Sequence, residues 1–219
     1  MNNKQIEKKI SNAVIRRLPR YFRYLRELIR SDIMRISSRE LSEKMNITAS
    51  QIRQDLNCFG GFGQQGYGYN VKFLYSEISH ILGVENGITA VILGIGNMGK
   101  ALVNNPLFEK RGIKVMGLFD TDPKVIGTTY GDLTVMDAKE TVNFINSNGI
   151  DIAVLTIPKA SAQDAFNELS ESCIRGIWNF SNAEIKCPKD KHVIIENVHL
   201  GDSLMALCYE VAQDKENNQ

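Results

Sequence analysis

Two groups of residues carry chemistry in their types and spacing. The first is Gly94-Ile95-Gly96-Asn97-Met98-Gly99, a G-x-G-x-x-G between the apolar run Ile88–Leu93 and the helical pattern that begins at Lys100. In such a loop the first glycine allows a tight turn, the second lets the main chain approach a pyrophosphate, and the third lets helix and strand pack closely. The free N–H groups at the helix start then face the anion. A second apolar run, Ile113 to Phe119, ends in Asp120, 21 residues after Gly99. That is close to the spacing of about 20 at which a carboxylate holds the adenosine ribose hydroxyls. A carboxylate there repels a 2′-phosphate, so the pattern points to NAD(H). The next strand, Asp151–Ile157, brings Thr156, Ile157 and Pro158 to the same crevice. The strand Ile174–Phe180 brings Asn179 to it. A further strand, Val193–Ile195, completes a mostly parallel doubly wound sheet.

The second group is Thr48, Ser50, Gln51, Arg53, Gln54 and Asn57. Ser37 and Glu40 have capping-box spacing and predict a helix from Ser38 to Met45. Asn46 and Ile47 make a turn. Thr48 and Gln51 form a second such box, opening a helix from Ala49 to Cys58. Ile52, Leu56 and Phe59 face inward, which leaves the polar group outward. Arg suits guanine, and Asn or Gln suits adenine, so this outer face has the chemistry to read base edges. Behind it, Phe59–Tyr69 holds five glycines among aromatics, the composition of a tight hairpin. Its Tyr67 is a further DNA-contact candidate. Upstream, Pro19–Arg30 reads as a helix with Pro near its first position. Arg16, Arg20, Arg23, Arg26 and Arg30 have three open roles: holding phosphates, pairing with acidic residues elsewhere, or meeting a partner subunit.

Charge separates the two groups. Residues 1–75 hold 14 Lys+Arg against 6 Asp+Glu, a net of +8. The remainder holds 12 against 19, a net of −7. A basic module joined to an acidic one suggests a polyanion-binding part attached to a part with another task. With 219 residues, 43% of them apolar, the chain is globular. Its apolar runs are far too short to span a bilayer, and its polar N-terminus lacks a signal peptide's apolar core. A cytoplasmic protein is expected. Cys58, Cys173, Cys187 and Cys208 form no C-x-x-C and are expected to be reduced and mostly buried. His80, His192 and His199 fit no metal motif, so no metal is expected. A final helix, Asp202 to about Gln213, is apolar nearly all round, and must pack on a partner subunit or inside its own domain.

The expected fold is α/β: a winged helix-turn-helix over residues 1–83, a Rossmann-like parallel sheet over 84–200, and a terminal helix and tail over 201–219. The helix-turn-helix ending Thr48–Leu56, the hairpin Phe59–Asn70 and the Gly94–Gly99 loop with Asp120 together resemble the Rex family of redox-sensing transcriptional repressors. The resemblance runs from about Ala13 to Val211. It implies a homodimer that binds palindromic double-stranded operator DNA, exchanges its C-terminal helix between subunits, and releases DNA when NADH binds. The sequence departs from the family at Gln54 and Gln65, where a basic residue is usual, and at Ser181-Asn182, where Ala-Pro is common. Asn105 replaces a tyrosine near the nicotinamide. His199 replaces an aspartate that pairs with an N-terminal arginine, here Arg23. These three, Arg23, Asn105 and His199, are the switch candidates. Two rival readings remain. One is a winged-helix repressor answering another nucleotide, such as a CoA derivative. The other is an NAD-dependent oxidoreductase, disfavoured because no motif places a His or Lys as proton donor and no catalytic residue is expected.

Overall fold

The structure, a computed structural model, describes residues 10–58, 63–64 and 68–217. The chain divides between Glu85 and Asn86 into two compact units, each with its own core.

The N-terminal unit opens with α1 (Asn12–Arg30), capped by Ser11, whose hydroxyl accepts from the Val14 N–H at 3.4 Å. The helix therefore starts well before Pro19, which lies in its interior. Val14 and Leu18 extend the buried stripe of Phe22, Leu25 and Leu28 backwards. That burial favours a longer helix even though Pro19 donates no N–H. Next come β1 (Arg35–Ile36), α2 (Ser38–Met45), α3 (Ala49–Asn57), β2 (Gly63–Gln64), β3 (Gly68–Asn70) and α4 (Val71–Ile81). The Ser37–Glu40 capping box forms in both directions, at 2.7 and 3.1 Å. Asn46 closes α2 in the left-handed region at φ 50, a conformation Asn tolerates. The second box is half formed. The Gln51 N–H donates to Thr48 Oγ1 at 3.2 Å, but the Gln51 side chain turns to Asp55 instead. Both β1 and β2 pair antiparallel with β3, so the hairpin is part of a three-stranded sheet. Its third member, β1, has two residues and is too short to show a period. The helix-turn-helix and this sheet form a winged helix. Phe59, Gln65 and Tyr67 lie outside the described residues.

The C-terminal unit contains β4 (Thr89–Leu93), α5 (Asn97–Val103), β5 (Lys114–Asp120), β6 (Thr129–Tyr130), β7 (Leu133–Asp137), α6 (Thr141–Asn148), β8 (Ile152–Leu155), α7 (Ala162–Leu169), β9 (Gly176–Asn179), β10 (Ile194–Asn197) and α8 (Leu200–Asn217). The sheet order is β10-β9-β8-β4-β5-β7-β6, parallel except for β6 against β7. This is a Rossmann-like sheet with an added edge hairpin, and its strand order reverses between β4 and β8. The strand β7 escaped the sequence reading because its five residues carry no long apolar run. Alternate residues of each strand feed opposite cores. Val91, Leu93, Ala153 and Leu155 pack toward Phe166 of α7, whereas Ile92 and Val154 pack toward Leu102 of α5.

The terminal helix is longer than expected at both ends, and none of its described residues is buried. Met205 is 71% exposed and Tyr209 67%. Packing inside its own domain, one of the two outcomes expected, is not what the chain does. Cys208 is exposed on this helix, Cys173 is exposed too, and Cys58 and Cys187 are half-buried, so the thiols are not mostly buried. Among the described residues no helix is long and apolar enough to cross a membrane, and no cluster of potential metal ligands occurs.

Candidate functional site

A cleft of about 680 Å³ opens at the carboxyl ends of β4, β5 and β8, where the strand order reverses. Ligands of open α/β sheets bind at this switch point. Of the predicted residues, Gly94, Ile95, Gly96, Asp120, Thr156, Ile157 and Pro158 line it.

The glycine loop is held from three sides. Gly94 has φ +90, and a Cβ there would meet the Thr156 carbonyl oxygen at 2.7 Å. A Cβ on Gly99 would collide with the Gly94 carbonyl, so this glycine provides the close helix–strand packing. Gly96 differs. A Cβ there would meet nothing within 4 Å, and Gly96 caps α5 without a side-chain bond. Among the described residues no neighbour demands a glycine at 96.

Asp120 ends β5 facing the loop. Its Oδ2 accepts from the Ile95 N–H at 2.6 Å and its Oδ1 from the Asp122 N–H at 2.9 Å. The carboxylate is thus fixed in place by main-chain donors, with lone pairs remaining for ribose hydroxyls. The Thr156 hydroxyl donates to the Gly94 carbonyl at 2.5 Å, with Leu93 O at 3.0 Å.

The other predicted residues stand elsewhere. Asn97 is exposed at the first position of α5, Met98 is half-buried against the core beside α5, and Gly99 is buried beneath the loop. Asn179 does not line the cleft. It is buried, donates to Ala183 O and Asn197 Oδ1 at 2.8 and 2.9 Å, and accepts from the Ser181 N–H and hydroxyl. Its amide pins the segment after β9, a role invisible to strand-end counting. Asn105 is exposed and lines a separate groove with Pro106 and Phe108. The side chain of His199 faces Glu184, Nε2 to Oε1 at 3.3 Å. Arg23 is exposed, its guanidinium 5.6 Å from the Tyr24 ring centre.

Sequence reasoning missed Lys100, Asp122, Thr141, Asp164 and Glu168, all on the cleft lining. Thr141 follows the unrecognised β7. Asp164 and Glu168 share one face of α7 at i, i+4 spacing, a pattern that also describes any solvated helix. Four carboxylates against one ammonium make the lining acidic, which disfavours an additional ribose phosphate.

The N-terminal unit presents a polar face on α3. Thr48, Ser50, Arg53, Gln54 and Asn57 are exposed, and Gln51 is half-buried. Arg53 Nη1 donates to Ser38 Oγ at 3.1 Å across to α2. Behind this face lies a feature the sequence did not reveal. Asp55 is fully buried and accepts from Arg17 Nε and Nη2, both at 2.7 Å, from the Tyr21 hydroxyl at 3.0 Å and from Gln51 Nε2 at 2.8 Å. Burial pushes the Asp55 carboxyl up, and these donors outweigh it, so it stays below its ordinary value. Burial and the neighbouring charge raise the Tyr21 hydroxyl. A charged bidentate pair thereby bolts α3 to α1.

A winged helix-turn-helix followed by a dinucleotide-type Rossmann unit defines a ligand-responsive DNA-binding regulator. Residues 9–57 match the family model "Putative DNA-binding protein N-terminus" and residues 85–183 match "CoA binding domain". The redox-sensing transcriptional repressor Rex of Thermoanaerobacter pseudethanolicus is 53% identical over 207 residues, 94% of this chain and 92% of that protein. The crystal structure of RSP in complex with β-NAD+ and operator DNA superposes with a TM-score of 0.87, at 51% identity over 95% of each chain. RSP in complex with β-NADH superposes at 0.86, with 47% identity over 96% of this chain and 98% of that one. The chain belongs to the Rex family of redox-sensing transcriptional repressors. These relatives are named repressors, not enzymes.

Proposed function

We propose that this protein is a cytoplasmic homodimeric repressor that holds operator DNA and releases it when NADH occupies the Gly94–Asp120 cleft. The carrying observation is Gly96, a glycine required by no neighbour among the described residues, in the same cleft as a positioned Asp120 at the strand-order switch. Gly94 and Ile95 hold the turn through their own N–H bonds to Phe119 O and Asp120, the N–H groups from Gly96 into the start of α5 take the pyrophosphate, and Asp120 takes the adenosine ribose. Thr156, Ile157 and Pro158 border the nicotinamide end. Thr48, Ser50, Gln51, Arg53, Gln54 and Asn57 face the operator. The exposed apolar side chains of α8, Leu204, Met205, Leu207 and Tyr209 among them, support a second subunit as their cover. The likeness to RSP with β-NAD+ and operator DNA, and to RSP with β-NADH, supports both ligands.

The match to the CoA-binding model favours a second reading, a repressor answering a CoA derivative. Asp120 and the acidic lining weigh against it, because CoA carries a phosphate on its ribose. A gel shift on a palindromic promoter fragment, repeated with NADH, NAD+, NADPH and CoA, tests both. NADH alone should release the fragment at low concentration. Release by CoA and not NADH would establish the second reading instead.

A further inference from the structure

Thr156 stands just beyond the end of β8 on the cleft edge, where a side chain is expected to touch the nicotinamide half of a ligand. Its hydroxyl proton is already committed within the chain, which leaves it no proton to donate to a ligand. The single proton goes to the Gly94 carbonyl at 2.5 Å, with Leu93 O at 3.0 Å as a second, weaker acceptor. The Thr156 main-chain N–H also donates to Leu93 O, at 2.9 Å. A Cβ on Gly94 would meet the Thr156 carbonyl oxygen at 2.7 Å, and one on Gly99 would collide with the Gly94 carbonyl, so the three residues approach closely only because two are glycine. The turn that must carry the pyrophosphate is therefore fastened to β8 through one hydroxyl. Asp120 fastens its next residue, Ile95, from β5.

We propose that Thr156 is a positioning residue for the pyrophosphate loop and not a contact for the nicotinamide. Removing its hydroxyl frees the Gly94 carbonyl and loosens the loop at the step where the chain reverses. The affinity lost then belongs to the pyrophosphate, whichever group is attached beyond it. This rests on the dinucleotide reading of the cleft.

The two roles separate by ligand truncation. Affinities of the full-length protein for NADH, ADP-ribose and adenosine are measured by competition for wild type, Thr156→Val, Thr156→Ala and Thr156→Ser. In the Val and Ala variants NADH and ADP-ribose should weaken by the same factor, about tenfold for one lost hydrogen bond in a preorganised loop. Adenosine should hold its wild-type affinity, and Ser, which keeps the hydroxyl, should restore both. The Ala variant carries the test if Val does not fold. A loss for NADH with ADP-ribose unchanged would make Thr156 a nicotinamide contact and overturn the proposal. Equal losses for all three ligands, or none, would overturn it too. Failure of the wild type to bind NADH or ADP-ribose would instead refute the dinucleotide reading.

Discussion

The Asp120 carboxylate performs two tasks that different substitutions separate. It anchors the glycine loop through the Ile95 N–H, and in the proposed cofactor site it presents negative charge toward the adenosine ribose. Asp120→Asn keeps an acceptor and removes the charge. NADH affinity is expected to fall about tenfold, and the preference over NADPH should shrink with it. Asp120→Ala also releases the loop, and a loss nearer a hundredfold is expected, since a hydrogen bond to a charged group contributes roughly 1.5–3 kcal/mol. Calorimetric titration with both cofactors checks this, and equal NADH losses in the two variants would mean that the Ile95 bond contributes nothing.

At the scale of elements, α3 does two things at once. Outwardly it offers Arg53, and Arg53→Ala should cost roughly 1–3 kcal/mol of operator discrimination. NADH affinity should stay as it was, since the substitution lies in the other unit. Unchanged operator binding would remove this helix from the groove. Inwardly α3 buries Asp55 against Arg17, Tyr21 and Gln51. Because the folded carboxyl sits below its ordinary value, its stabilisation is present above about pH 4 and disappears as pH falls through the folded value. In Asp55→Asn the neutral amide should cost about 2–3 kcal/mol at pH 7. The difference from wild type should then narrow on acidification below pH 4. Thermal unfolding of both proteins between neutral and acid pH provides the measurement. A gap that stays constant with pH would mean that Asp55 is not charged in the fold.

The whole molecule has to exist in two arrangements for a ligand to control DNA. Moving such an equilibrium from 1:99 to 99:1 needs a differential affinity of about 5.5 kcal/mol. In the proposed dimer the surface that joins the subunits is α8, which exposes Leu200, Leu204, Met205, Leu207, Tyr209 and Val211 in a single chain. Leu204→Glu combined with Met205→Glu should shift the protein toward monomer in sedimentation and weaken binding to a palindromic fragment. A half-site fragment should be bound as by wild type. An unchanged dimer would assign the subunit interface to another surface.

Local physics already determines much of this protein in its sequence. The Ser37–Glu40 box, the turn at Asn46 and the G-x-G-x-x-G between strand and helix depend on residues a few positions apart. Each formed as its spacing requires. Charge partition located the basic unit, since it is a property of composition. Longer-range matters were decided in three dimensions. Whether Pro19 starts or interrupts a helix depended on how far the buried stripe continued. Asp55 looks like any polar residue of an amphipathic helix until Arg17, 38 residues away, closes on it. Asn179 and Thr156 both end strands beside the switch point, and the sequence ranks them alike. The packed fold turns one amide inward to hold its own loop and sets the other's hydroxyl on the glycine turn, because a buried polar group must find partners wherever the chain supplies them.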